Sequence, residues 1–200
     1  MKENWLYIKS PDCYGAPSVI QFNNNDINYF IIEKSNEDSL LKIKDENRSK
    51  NLAETKHQLI NPNRIRFFEK GKIYYSLSNE ESITEDCIFE NDYQKLHPTE
   101  TGLTKSEIQD LKFELNWNGE KTNVRFNEDL DPPYIQEINK RMNREGRKIL
   151  IEKLNGTLFI SFYENANLDN LLPIKYVDSQ KIILYGFPKE PYEIDCQISL

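Results

Sequence analysis

The sequence predicts a mainly β chain of the α+β kind: an antiparallel meander of hairpins forming a curved sheet or barrel, with one amphipathic helix near 132–145. Three observations predict it. Two Asn-Gly pairs, Asn118-Gly119 and Asn155-Gly156, each stand at the midpoint of a run of strand formers. Asn-Gly is the strongest short-range hairpin signal, because both central residues of the tight turn need positive φ. The composition is rich in Tyr (11) and Phe (10), while Ala occurs only at 16, 53 and 166. β-Branched and aromatic side chains suit a pleated surface better than a helix. Finally, only one segment carries clear helical periodicity.

In chain order, strands are predicted near Trp5–Lys9, Ser18–Asn23, Ile27–Lys34 and Leu40–Lys44, the middle two joined across a polar Asn-Asn-Asn-Asp turn. Asp45 to Lys56 is charged and lacks period, so a loop or short exposed helix is expected. Asn63–Phe68 and Lys72–Leu77 read as a hairpin turning at Glu69-Lys-Gly71, with Gly71 taking the strained dihedral. Ser78 to Leu103 is ambiguous. Thr104-Lys-Ser-Glu107 has the form of a capping box and predicts a helical turn.

The Asn118 and Asn155 hairpins follow, and the helix between them is opened by Asp131 as cap and by Pro132-Pro133 in its first turn. Tyr134, Ile135, Ile138 and Met142 recur at helical spacing until Gly146. A strand is predicted at Lys181–Tyr185, with Pro173, Pro188 and Pro191 marking edges and loops around it. No Gly/Ser-rich linker divides the 200 residues, so one β-rich domain, 1–200, is expected.

Pairing the hairpin flanks separates the two. Across the Asn118 turn, Leu115 opposes Thr122, Phe113 opposes Val124 and Leu111 opposes Phe126. The other face carries Lys112, Glu114, Asn116, Lys121, Asn123 and Arg125 and must be wet. Across the Asn155 turn, Ile149 and Ile151 meet Phe162 and Ile160, yet Leu150, Leu154, Phe159 and Tyr163 populate the opposite face. Both faces need cover. The helix is the first candidate cover, and a cavity or a partner protein the second.

The net charge of −7 argues against nonspecific attachment to nucleic acid or anionic lipid, whose phosphates recruit basic surfaces. The N-terminal residues read straight into a strand with no apolar signal region, and no apolar run reaches membrane-spanning length. Cys13, Cys87 and Cys196 are an odd, scattered set, which fits reduced thiols. A cytoplasmic location is expected, with no membrane and no nucleic-acid partner. The basic-aromatic patch Arg64, Arg66, Phe67, Phe68, Lys70 and Lys72 is followed too closely by acid to make a stacking groove for nucleic acid.

Catalytic signals are sparse. His57 and His97 are the only histidines and lack metal-ligand spacing. Cys13 has no neighbouring base or cation to lower its pKa. Seven scattered glycines form no phosphate loop, and no Ser stands in a nucleophile elbow. Glu128, Asp129 and Asp131 have the donor type of calcium ligands but not the spacing, so a capping role is expected. No catalytic residue, cofactor or metal is assigned. One acidic stretch remains: Glu80, Glu81, Glu85, Asp86, Glu90 and Asp92, around Ile83, Cys87, Ile88 and Phe89. Its functional reading is a surface that docks a basic partner by electrostatic steering.

The expected function is therefore non-enzymatic binding of another protein, most concretely as an immunity-type inhibitor (an antitoxin) of a bacterial toxin. Meandering hairpins with Trp5 near the N-terminus also resemble lipocalin-like β-barrels, which implies a cavity for a small apolar ligand. That resemblance covers the alternation alone, and no Gly-x-Trp signature accompanies Trp5. A third reading is an enzyme built from spatially assembled Asp, Glu, Tyr and Arg groups.

Overall fold

The computed structural model describes residues 3–8, 18–35, 39–76, 82–117, 120–185 and 192–197. The Asn118-Gly119 turn, the Cys13 turn, Glu80, Glu81, Pro188 and Pro191 lie outside the described residues. The chain is mostly β in antiparallel sheets of hairpins. It groups into two compact units: the described residues of 1–13, 18–30 and 44–95 form the first, and those of 31–43 and 96–200 the second.

One sheet contains β1 (Trp5–Ile8), β2 (Ser18–Asn23), β3 (Asp26–Lys34), β4 (Leu40–Asn51), β5 (His57–Asn61), β6 (Arg64–Ser76) and β7 (Ser82–Lys95), in the order β4-β3-β2-β1-β7-β6-β5. Polar Asn24, at φ 55°, makes the tight turn between β2 and β3. Asn tolerates that left-handed conformation because its short side chain can bond locally. The core of the first unit gathers Trp5, Ile20, Ile27, Tyr29, Ile65, Phe67 and Tyr93.

Two expectations fail here. Residues 45–51 are the second half of β4, and only Leu52–Glu54 makes a 3-10 turn, capped by the Asn51 side chain. The chain does not turn at Glu69-Lys-Gly71: β6 runs through Gly71 and pairs with β7 from Arg64↔Gln94 to Ser76↔Ser82. The hairpin lies instead between β5 and β6, around Pro62. A glycine inside an apolar run looks like a turn when its partner strand is not known.

The second sheet contains β8 (Glu100–Thr101), β9 (Lys112–Trp117), β10 (Glu120–Arg125), β11 (Lys148–Leu154), β12 (Thr157–Glu164), β13 (Asn167–Val177), β14 (Lys181–Leu184) and β15 (Tyr192–Gln197). Its order is β10-β9-β15-β14-β13-β12-β11, with β8 parallel to β13. The sheet curls into a half-barrel, and the segment after β10 reaches the start of β11. Asn127 N–H donates to Ile149 O at 2.8 Å, Leu130 N–H to Arg147 O at 2.9 Å, and Asp129 bridges to Lys148.

Both Asn-Gly hairpins have the predicted register, Trp117↔Glu120 and Leu154↔Thr157 at their tips. Asn155 (φ 50°) and Gly156 (φ 93°) take the positive dihedrals that the second turn requires. The capping box is present at the N-terminus of helix α1 (Lys105–Gln109), the Thr104 hydroxyl accepting from Glu107 N–H and the Glu107 carboxylate from Thr104 N–H.

β13 and β15 carry no clear signal in the sequence. Pro173 hides β13: it sits inside that strand, opposite Phe159. Its carbonyl accepts from Tyr185 N–H at 3.0 Å, so its missing N–H faces the very end of β14 and costs a single ladder bond.

Helix α2 (Pro133–Arg141) forms where the periodicity places it, but Pro132 is its N-cap and makes no side-chain capping bond. Asp131, the expected cap, is turned elsewhere. Nor does α2 cover the Asn155 hairpin: none of its residues is buried, and Tyr134, Ile138 and Met142 are exposed. The inner face of the curled sheet is filled by Phe113, Val124, Phe126, Ile149, Ile151, Leu158, Ile160, Ile174, Val177, Ile182 and Leu184, closed by Ile108 of α1. Against β11 and β12 comes the 31–43 segment. Ser39 bridges to Lys153, the Lys34 ammonium lies 5.0 Å over the Tyr163 ring, and Ile32 and Leu40 are buried.

Candidate interaction surface

The described part of the acidic stretch, Glu85 to Asp92, falls on β7, whose neighbour β6 carries the basic-aromatic patch. Antiparallel pairing sets Arg66 against Asp92, Phe68 against Glu90, Lys70 against Ile88 and Lys72 against Asp86. Cross-strand partners on one face are neighbours, so Arg64 and Arg66, distant from Asp92 and Glu90 along the chain, pair with them in the sheet. Asp92 is buried and accepts from Arg64 Nε at 3.0 Å, Arg66 Nε at 2.7 Å and Arg66 Nη2 at 3.1 Å. Burial raises the pKa of its carboxyl. The hydrogen bonds from Arg66 and Arg64, with their charges, outweigh this and hold it below the usual carboxylate range.

Glu90 is exposed and pairs with Arg66. Asp86 is exposed, and Glu85 is placed on β7 opposite Ile73. Of the six acidic residues, Asp92 is thus a structural counter-ion, while Asp86 and Glu90 face solvent. In the neighbouring patch Phe67 is buried and both arginines are engaged with Asp92.

What the charges frame is apolar. Ile88 is 59% and Phe89 43% exposed. Successive strand residues point to opposite faces, so Ile88 lies on the charged face and Phe89 on the face continuous with Tyr93 and Ile65. β7 pairs with β1 only at 92–95, and β6 with β5 only at 64–67. Among the described residues, 69–76 and 82–89 therefore pair as strands only with each other, as a two-stranded ribbon. Such a ribbon is marginal on its own, and an exposed apolar side chain on each face adds nothing to its stability.

A second polar feature was not predicted. Glu152, in β11, is 1% exposed and shares a face with Leu154, Thr157, Phe159, Ser161 and Tyr163. Tyr163 Oη donates to Glu152 Oε2 at 2.6 Å. Among the described residues, Glu152 Oε1 and Ser161 Oγ have no hydrogen-bond partner. Burial, then the bond to the carboxylate and its charge, push the Tyr163 phenol well above its ordinary pKa. The alternation of β11 carried the signal, since Glu152 falls on a position whose neighbours two residues away are apolar.

The Asp129–Asp131 pair also has a structural use. Asp131 is buried and accepts from Arg147 Nε at 2.6 Å, Arg147 N–H at 3.1 Å and Asn139 Nδ2 at 3.0 Å. It joins α2 to the start of β11. His57 and His97 are both exposed, and among the described residues no three His, Cys, Asp or Glu side chains are grouped to hold a metal ion. An open concavity of about 290 Å³ is lined by Gln109, Asp110, Lys112, Arg125 and Glu128 among others. No described helix is long and apolar enough to cross a membrane. No protein-family model, curated protein or solved structure matches the chain.

Proposed function

We propose that this chain is a non-enzymatic binding protein that docks another, unlike protein through the β6–β7 ribbon, in the cytoplasm. Its most concrete form is an immunity-type inhibitor of a bacterial toxin. The observation that carries the reading is the exposure of Ile88 and Phe89 on opposite faces of a ribbon with no further strand beside it among the described residues, bracketed by the exposed carboxylates of Asp86 and Glu90. An apolar pair of this kind gains most when it enters a slot that covers both faces, and rim carboxylates steer a partner whose slot is edged by basic groups.

The ligand-barrel reading is set aside because the inner face of the curled sheet is occupied by its own side chains, Phe113, Ile151, Ile160 and Ile182 among them. The enzyme reading is set aside because the converging polar groups Glu152, Ser161 and Tyr163 are sealed from solvent.

The test is calorimetric titration of the full chain with the product of the adjacent gene. The expected result is saturable binding that Ile88→Asp or Phe89→Asp weakens at least about tenfold, or ~1.4 kcal/mol. Asp86→Lys should slow association and reduce its salt dependence. No heat of binding, or ribbon variants that bind like the parent chain, overturns the reading.

A further inference from the structure

One face of the β11–β12 hairpin gathers polar groups that the protein does not fully pair. Glu152 and Ser161 are both sealed from solvent. Leu150 pairs with Ser161 and Glu152 with Phe159, so the two polar residues are diagonal neighbours on that face. Diagonal neighbours have Cα atoms about 7–8 Å apart, within reach of a long side chain. Tyr163 stands opposite Lys148 on the same face, so its ring passes over the Leu150–Ser161 pair to bring Oη to Glu152 Oε2.

Each polar atom can be followed to its partner. The Tyr163 hydroxyl is spent on Oε2. Thr157 Oγ1, also buried on this face, donates to His97 O at 2.8 Å. On its other side Ser161 lies opposite Leu171 of β13, which is buried and offers only an apolar side chain. That leaves Glu152 Oε1 and Ser161 Oγ, which have no partner among the described residues and do not bond each other. Buried polar atoms are almost always hydrogen-bonded, to protein or to ordered water, because losing solvent without replacement is costly. The two atoms are complementary: the carboxylate oxygen only accepts, and the hydroxyl has a proton to give.

We propose that Glu152 and Ser161 form a site for one internal water molecule, which donates to Glu152 Oε1 and accepts from Ser161 Oγ. Buried waters make about three hydrogen bonds each. The third is available at Tyr163, whose oxygen donates to Oε2 and keeps a lone pair for the water's second hydrogen. A bridging water suits two groups that the register brings close without a direct bond. The 31–43 segment lies against this hairpin, with Ile32 and Leu40 buried, so the water is enclosed and exchanges only when the segment or the strands open. Glu152, Ser161 and Tyr163 thus act as one hydrated polar unit inside an apolar face. The inference does not depend on the ribbon reading.

A high-resolution crystal structure of the full chain tests it, with water relaxation in solution as the second measurement. The expected result is one fully occupied density peak about 2.5–3.0 Å from both Glu152 Oε1 and Ser161 Oγ, the range of an O–H···O bond. In solution, amides of residues 151–153 and 160–162 should show cross-relaxation to a long-lived water. Oxygen-17 relaxation dispersion should count one such water fewer in a chain carrying Glu152→Leu with Ser161→Ala. Should that variant fail to fold, the density and the amide cross-relaxation of the parent chain decide the matter. Three outcomes overturn the proposal: a direct bond from Ser161 Oγ to Glu152 Oε1, a metal ion at the peak with several shorter oxygen contacts, or no long-lived water near these amides.

Discussion

Asp131 accepts the Nε–H of Arg147 at 2.6 Å and its backbone N–H at 3.1 Å, tying the N-terminal side of α2 to the first residues of β11. Gly146 lies directly beneath. A Cβ there would meet the Asp129 carboxylate oxygens at 2.6 Å and Asp131 Oδ2 at 2.8 Å. The run Gly146-Arg147 is thus a passage for backbone under two carboxylates as well as the stop of a helix.

Gly146→Ala is expected to destabilise the fold by about 1–3 kcal/mol, the usual cost of overpacking. Urea denaturation measures it, and Asp129→Ala in the same chain should recover part of the loss. An unchanged midpoint for Gly146→Ala would place the carboxylates elsewhere.

Asp92 and Asp131 both have pKa values held below the ordinary carboxylate range. In each, burial acts upward and the hydrogen bonds from arginine outweigh it. Their stabilisation is therefore present above the unfolded carboxylate pKa of about 3.9 and is lost as pH falls through the lower folded value. Asp92→Asn and Asp131→Asn should lower stability at neutral pH and flatten the acid limb of a stability–pH curve below pH ~4. Tyr29 adds the mirror case, its phenol pushed up to about 12 by burial first and by Glu69 next. Its contribution should be lost as pH rises from about 10 through 12, and Tyr29→Phe should remove that loss.

Tyr163→Phe would strand the buried Glu152 carboxylate without its donor, at a cost of about 1–3 kcal/mol. Removing both polar groups, as in Glu152→Leu with Tyr163→Phe, should cost less than Tyr163→Phe alone. A double-mutant cycle by thermal denaturation decides it; additive losses would mean that the 2.6 Å contact carries no coupling.

Gly156 sits at φ 93° with Pro98 Cβ 3.4 Å from where its own Cβ would be. Gly156→Val combines a forbidden dihedral with that close neighbour and should cost about 1–3 kcal/mol. By contrast, Ile138→Asp and Met142→Asp on α2 should change stability by no more than about 0.5 kcal/mol, since neither residue is buried. A loss above ~1 kcal/mol on α2 would show that the helix packs after all.

Much of the fold was legible because its signals are local. Asn155-Gly156 announced its turn and register, and Thr104 with Glu107 announced the cap of α1, since each depends on residues only a few positions apart. What failed was non-local. Gly71 looked like a turn because β7, its partner, lies further along the chain; Pro173 looked like a breaker because the end of β14 was not yet in view. The acidic stretch was legible as a list of charges, but its meaning depended on the strand beside it.

By itself, then, the sequence determined a mainly β chain, the two Asn-Gly hairpins with their registers, the position of α2 and the need to cover both faces of the Asn155 hairpin. Tertiary structure alone decided that the 31–43 segment lies against that hairpin and that α2 does not cover it. It decided that Asp92 is spent on Arg64 and Arg66, and that Ile88, Phe89 and Leu59 are left in water. Alternation and turn dihedrals are properties of neighbours in the chain. Which strand lies beside which, and therefore which charge is neutralised and which edge stays open, is settled only by pairing between distant segments.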